Sequence, residues 1–164
     1  MTTITHDHLF RAIQIASNMS IKDKEVVCDE IFIEQPNLLS SVLVQAQMGN
    51  TLEEVDVLLE ILIVLYLALK ESGEKIEKIS EEEQAHELSV YAEVIIFTEG
   101  MDACTVVSSF NQYFENQDDR MLFEYVVGKM KDARLFENQK ECSKYLLMAG
   151  MNLINCIRKA KKLA

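Results

Sequence analysis

The chain has 164 residues, with 27 acidic against 16 basic side chains and a formal net charge of −11. So acidic a balance argues against binding nucleic acid, whose phosphates are held by clustered Lys and Arg. One proline and five glycines leave few breakers for a turn-rich β protein, and this length can bury a full core in one domain without disulfide or metal staples.

Residues 6–19 read as a first helix, capped by Thr5, with Leu9, Phe10, Ile13 and Ala16 on one side. Ser20, with Asp23 in the capping-box position, starts a second whose apolar side is Val26, Val27, Ile31 and Phe32. Pro36 disfavours helical geometry at Gln35 and turns the chain. A third helix over 37–48 places Leu38, Leu39, Val42, Leu43 and Ala46 inward and ends at Gly49-Asn50.

The next helix, 51–72, is the one around which the rest is organised. Thr51 and Glu54 form a capping box, and Gly73 suits the left-handed residue that ends a helix. Ile61 to Leu69 contains no charge. At 3.6 residues per turn such a run is apolar on every side and has to be buried on every side. It rises only about 14 Å, against the roughly 30 Å of a bilayer core, so a membrane span is not expected. Burying it is worth roughly 15–25 kcal/mol gross, which conformational entropy largely offsets.

Residues 74–79 read as a charged connector or an extra helical turn. Ser80 and Glu83 form another capping box for a helix reaching Gly100, with Ala85, Leu88, Tyr91, Ala92, Ile95 and Ile96 on its stripe. Its β-forming end, 94–98, is assigned to helix on the 3.6 spacing. A helix over 102–115 uses Val106, Val107, Phe110, Tyr113 and Phe114. After the polar break Asn116-Gln117-Asp118-Asp119, another runs to about 133 with Met121, Leu122, Tyr125 and Val126. The last, 138–162, carries Cys142, Tyr145, Leu146, Ala149, Leu153, Cys156, Ile157 and Ala160. Gly128 and Gly150 sit inside helical patterns, where close helix approach or a local break would explain them. The expected fold is an all-α, single-domain bundle, 1–164, of about seven helices around a central buried helix (51–72). The place to divide it, if anywhere, is between 1–73 and 80–164.

Charge is uneven: residues 51–100 hold 13 acids and 3 bases, and 101–164 hold 8 acids and 10 bases. The 74–99 surface is therefore expected to suit a basic protein partner. The tail Arg158-Lys159-Ala160-Lys161-Lys162 serves as compensation at a helix C-terminus or as a contact for the acidic region of a second subunit. The opening residues lack a basic stretch followed by an apolar core, and Cys28, Cys104, Cys142 and Cys156 form no C-x-x-C pair. Reduced thiols and a cytoplasmic location follow as expectations.

Chemistry-bearing patterns are sparse. Glu83-Gln84-Ala85-His86 is one E-x-x-H, whereas a carboxylate-bridged di-iron bundle needs two such motifs and two further Glu. Acid at 81–83 is also what a helix N-terminus attracts. His6-Asp7-His8 could hold a transition metal weakly, but reads more simply as an exposed terminus. No nucleophile elbow, P-loop, dinucleotide fingerprint or H-E-x-x-H occurs. No catalytic residue, cofactor or metal is assigned.

The expected function is a non-catalytic helical protein acting through protein–protein contacts, self-associating as a homodimer, with an acidic inhibitor, immunity or adaptor role. Surplus apolar surface on helices 51–72 and 138–162 makes Leu62, Leu65, Tyr66, Leu69, Leu147, Met148 and Met151 the candidate interface. The alternative is a small helical-bundle enzyme, or a metal- or ligand-binding protein, using carboxylates.

Overall fold

The computed structural model describes residues 2–97, 100, 103–115, 119–137 and 141–164, with side chains throughout except at 92–97, 103, 104, 106, 110, 113 and 114. The predicted core positions Ala92, Ile95, Ile96, Val106, Phe110, Tyr113 and Phe114 and the break at 116–118 thus lie outside the described side chains. Eight α-helices are present among the described residues, one for each segment read as helical in chain order: α1 (His6–Ser17), α2 (Ile21–Glu34), α3 (Pro36–Leu43), α4 (Leu52–Glu71), α5 (Glu81–Phe97), α6 (Ala103–Phe114), α7 (Arg120–Asp132) and α8 (Glu141–Lys159). The protein is an all-α bundle. No helix among the described residues is long and apolar enough to cross a membrane.

Helix α4 is the centre. Ile61 through Leu69 are all buried, and so are Val55 and Leu58. The cover is the chain's own: α1 packs along α4 most extensively, followed by α8 and α3, with α2 and α7 completing the ring. One apolar cluster runs from Ile4 to Ala160 and draws on both sides of the 73–80 connector. The second half of α8 is also enclosed, with ten residues between Leu146 and Ile157 buried.

Capping follows the sequence closely. Thr5, Ser20 and Thr51 accept from the N3 backbone, and His8, Asp23 and Glu54 reach back to the cap N–H. Ser80 and Glu83 do the same at α5. Gly73 takes φ +72° where α4 ends. The predicted 37–48 helix shortens to Leu43 and tightens into a 3₁₀ turn over Val44–Ala46. Tightening of this kind is common where a chain must turn, and Gly49 completes this turn at φ +102°.

Several predicted inward residues face out, among them Phe10, Ile13, Val26, Phe32, Leu43, Ala46, Ala85 and Leu88. Phe10 is exposed because Leu9, Ala12 and Ala16 make the contact stripe, and Phe10 lies about 100° round from Leu9. On α2 the buried positions are Val27 and Ile31, four apart, which leaves their neighbours Val26 and Phe32 outside. Leu43 is likewise exposed.

Past Lys159 the chain leaves the helix, short of the predicted 162. Glu77 N–H donates to the Lys161 carbonyl (2.8 Å) and Leu163 N–H to that of Lys75 (2.8 Å). The other side of this connector is held by a side chain. Buried Gln35 donates from Nε2 to the Glu77 carbonyl (3.0 Å) and accepts from Ile79 N–H (3.0 Å), so its carboxamide stands where a neighbouring strand's peptide would. Asn37 donates to the Ile79 carbonyl (2.9 Å). At the N-terminus, Thr2 donates to the Ile157 and Arg158 carbonyls and satisfies the end of α8.

The two helix-interior glycines differ. A Cβ at Gly150 would lie 2.7 Å from Met130 Cε and 3.1 Å from Val126 Cγ1, so this glycine lets α7 approach α8. A Cβ at Gly128 meets nothing within 4 Å. Gly150→Leu should therefore lower stability in urea denaturation by about 2 kcal/mol or more, through overpacking. Gly128→Ala should raise it by up to about 1 kcal/mol, the helix-propensity difference. Gln35→Ala should cost about 2 kcal/mol or more, because it leaves the backbone groups of Glu77 and Ile79 without partners.

Candidate functional site

The residues expected to form an interface are mostly inside. Leu62, Leu65, Tyr66, Leu69, Leu147 and Met151 are buried by their own chain, and Met148 is half-buried. The surplus apolar surface read from α4 and α8 is used within the bundle. Tyr66 reaches the surface with its hydroxyl, which donates to Glu34 (2.7 Å). Burial, and then Glu34, push this phenol well above its ordinary value and keep it protonated.

The acidic stretch expected to meet a basic partner is engaged at home in part, at Glu74, Glu83 and Glu87, while Glu77, Glu81 and Glu82 are exposed. Lys162 pairs with Glu74 (2.6 Å), Lys159 with Glu87 (2.6 Å) and Arg158 with Asp119 (3.5 Å). Glu74 also accepts from Thr3 N–H (2.8 Å), and Glu83 is committed to its cap. Arg158, Lys159 and Lys162 of the basic tail therefore meet acids of their own chain.

The histidine motifs resolve as local structure. Thr5 N–H donates to His8 Nδ1 (3.2 Å), which makes His8 the distal half of a capping box. His86 is exposed on α5, three residues after the capping Glu83. No group of three or more His, Cys, Asp or Glu able to hold a metal occurs among the described residues. Burial pushes the Cys156 thiol up to about 12, and burial with Asp29, Asp56 and Glu25 raises that of Cys28. Neither is an activated nucleophile, since the thiolate is the reactive form.

One cluster of ionisable groups converges where α1, α2, α4 and α7 meet. Glu60 accepts from Lys24 Nζ (2.6 Å), with Lys129 Nζ at 3.7 Å. They line a cleft of about 300 Å³ with Ile13, Met19, Ile63 and Tyr125. The Lys24 hydrogen bond, more than any other influence, holds the Glu60 carboxyl below its ordinary value. A carboxylate stabilised in this way is a weak base. The adjacent Tyr125 phenol is pushed upward by burial and by Glu60, so it offers no complementary base either. The arrangement ties three helices together but pairs no acid with a base poised near neutrality.

One apolar surface that remains open lies along α2, and Phe10 on α1 and Leu43, Met48 and Leu52 around the 3₁₀ turn are exposed as well. Val26, Phe32 and Ile33 are 56%, 65% and 68% exposed, and Ile21 caps the row at the helix start. Successive 100° steps put Val26, Asp29 and Ile33 in one line, with Ile21, Glu25 and Phe32 in the line beside it. At its C-terminal end this face opens into a groove of about 670 Å³. Ile33, Leu69, Ile76 and Leu163 supply its apolar lining, and Lys70, Lys75, Glu77 and Lys78 stand around it. Groove volumes of this order accommodate a large side chain or a small ligand. Sequence reasoning had placed Val26 and Phe32 in the core. No signal in the sequence separates them from Val27 and Ile31, the buried pair that fills α2's inward side.

Comparison with protein-family models, curated proteins and solved structures finds no match to this chain.

The Glu60 cluster has a definite pH signature. Its folded-state pKa lies below the ordinary 4.5, so its stabilisation is complete above that value and is lost as pH falls through the lower one. Thermal melts from about pH 7 down to about pH 3 should show Glu60→Gln less stable than the parent at neutral pH. The gap between the two should close on the acid side.

Proposed function

We propose that this is a non-catalytic helical protein that works by contact with another protein, and that the outer face of α2 with its adjoining groove is the contact surface. The observation that carries this reading is the exposure of three large apolar side chains, Val26, Phe32 and Ile33, on one helix face. Contiguous apolar surface of this kind marks interaction sites more often than scattered exposure does.

Magnitudes bound the contact. Covering the exposed parts of these three side chains gains on the order of 3–5 kcal/mol, at roughly 1.5–3 kcal/mol per fully buried residue. Association costs about 4–15 kcal/mol in lost freedom. The apolar stripe alone therefore gives at best a weak complex, and groove-filling and polar complementarity must supply the remainder.

Two other readings are weaker. A carboxylate-based enzyme or ligand-binding bundle has little support from the Glu60 cleft, whose carboxylate is neutralised by two lysines. A homodimer draws support from the same α2 exposure, in a two-fold contact that sets two α2 helices antiparallel.

Incorporating a photoreactive phenylalanine analogue at Phe32 in cells of the source organism should give a discrete cross-linked product. Val26→Ser and Ile33→Ser should remove it. Cross-linked product of the same yield from exposed Glu137, or none from position 32, would sink the proposal. Light scattering of the purified chain tells a second copy from a different protein.

A further inference from the structure

The first turns of α5 rest on a side of α8 that is poorly matched to them. Asn152 and Asn155 stand three residues apart on α8, within about 60° of one another round the helix, and both are buried. Asn155 is fully enclosed, and neither its Oδ1 nor its Nδ2 has a hydrogen-bond partner. Asn152 donates from Nδ2 to the Gln84 carbonyl of α5 (3.2 Å), but its Oδ1 is unpartnered, and so is Gln84 Nε2. Four amide atoms along this side are thus withdrawn from water with no hydrogen bond in return, and each such group costs its full desolvation. Little apolar burial offsets this. Of residues 81–91 only Tyr91 is buried, whereas α4 buries twelve residues. Tyr91 donates to the Met151 carbonyl (3.3 Å), and Lys159 reaches across to Glu87 (2.6 Å). The chain just before α5 is pinned by contrast. Ile79 is buried, its N–H donates to Gln35 and its carbonyl accepts from Asn37.

We infer that residues 81–91 form a lid that swings away from α8 about the fixed point at Ile79, with the rest of the bundle closed, and uncovers Asn152, Asn155 and Cys156. Water then pairs the stranded amides, which favours this opening over a larger one that would also expose α4. Cys156 lies under the lid. It shares a small cavity with Ile79, Glu83 and Glu87, and burial, then Glu87 and Glu83, raise its thiol. With the lid shut the thiol is protonated and inert; with the lid open it regains the reactivity of an exposed cysteine. Helix α5 is therefore a gate to one side of α8, in a bundle whose centre stays closed. The lid shares no residue with the α2 face.

The test uses the full chain under native conditions. Labelling by N-ethylmaleimide, with the modified cysteine located by mass spectrometry, is followed beside hydrogen exchange. The opening constant read at Cys156 should exceed that read from the amides of Ile61–Leu69 by about 100-fold or more, and should depend only weakly on urea, because a local opening exposes little surface. The amides of 85–91 should open with Cys156, since a lifted helix of this length unwinds in water. Those of Glu77 and Ile79, which bond to the tail and to Gln35, should stay protected. Asn155→Leu removes the unpartnered amide and should lower the opening constant about tenfold. Glu87→Gln releases Lys159 and should raise it about twofold. An opening constant at Cys156 equal to that of Ile61–Leu69 would overturn the inference. So would loss of protection at Glu77 and Ile79 together with Cys156, because the tail and connector would then be moving in place of α5. Unchanged or faster labelling in Asn155→Leu would overturn it as well, since a buried water would then already pair the amide. The comparison of Cys156 with Ile61–Leu69 is made on the parent chain and decides the matter whether or not the variants fold.

Discussion

The enclosure of α4 is the constraint on which the rest of the molecule depends. Its nine charge-free residues have no side that water could solvate favourably, so five other helices arrange themselves around it. That arrangement consumes the apolar faces of α1, α3, α7 and α8 and leaves α2 packed through Val27 and Ile31. It also explains why α8 needs a glycine. With α4 and α7 both pressed against it, Leu58, Val126 and Met130 crowd position 150, and a side chain there has little room.

A second group of interactions closes the ends of the bundle, and these are polar. The connector after α4 is short of helical structure, and its backbone groups have to be paired elsewhere. The tail after α8 pairs with one side of it and the Gln35 carboxamide with the other. Lysines at the end of the tail meet Glu74 and Glu87, so backbone and charge pairing reinforce the same docking. Thr2 closes α8 from the opposite terminus. Both ends of the chain and the 74–79 connector are thereby gathered at one place in the fold, beside the groove that continues the α2 face.

This closure redistributes the charge that remains for function. Part of the acid that dominates the middle of the sequence is capping a helix, at Glu54 and Glu83, or facing the basic tail, at Glu74 and Glu87. On α2, Glu25 and Asp29 stand exposed among Val26, Phe32 and Ile33, with Lys22 on the same side. A helix needed only weakly for the core can carry such a surface, because its outer residues contribute little to folding. The buried helices cannot, since any side chain on them that served a partner would have to leave α4 uncovered.

Local features were legible from the residues alone. Three capping boxes, the Thr5 cap, the turn at Pro36, the stop at Gly73 and the need to bury Ile61–Leu69 all depend on neighbours within a few positions, where backbone geometry is set by short-range sterics and hydrogen bonds. The identity of the cover was not legible, because an apolar run demands enclosure without saying which chain encloses it. That is why Leu62, Leu65, Tyr66, Leu69, Leu147 and Met151 could be read as interface and prove to be interior. Nor could sequence separate Val26 and Phe32 from Val27 and Ile31, which have similar hydrophobicity and differ by one 100° step of rotation. The phase of that rotation is decided by where α2 lands on α3 and α4, and the pairing of Gln35 with Ile79 or Lys159 with Glu87 by contacts 44 and 72 residues apart. Those choices belong to the tertiary structure, because only packing against the central helix brings such distant groups within a few ångströms.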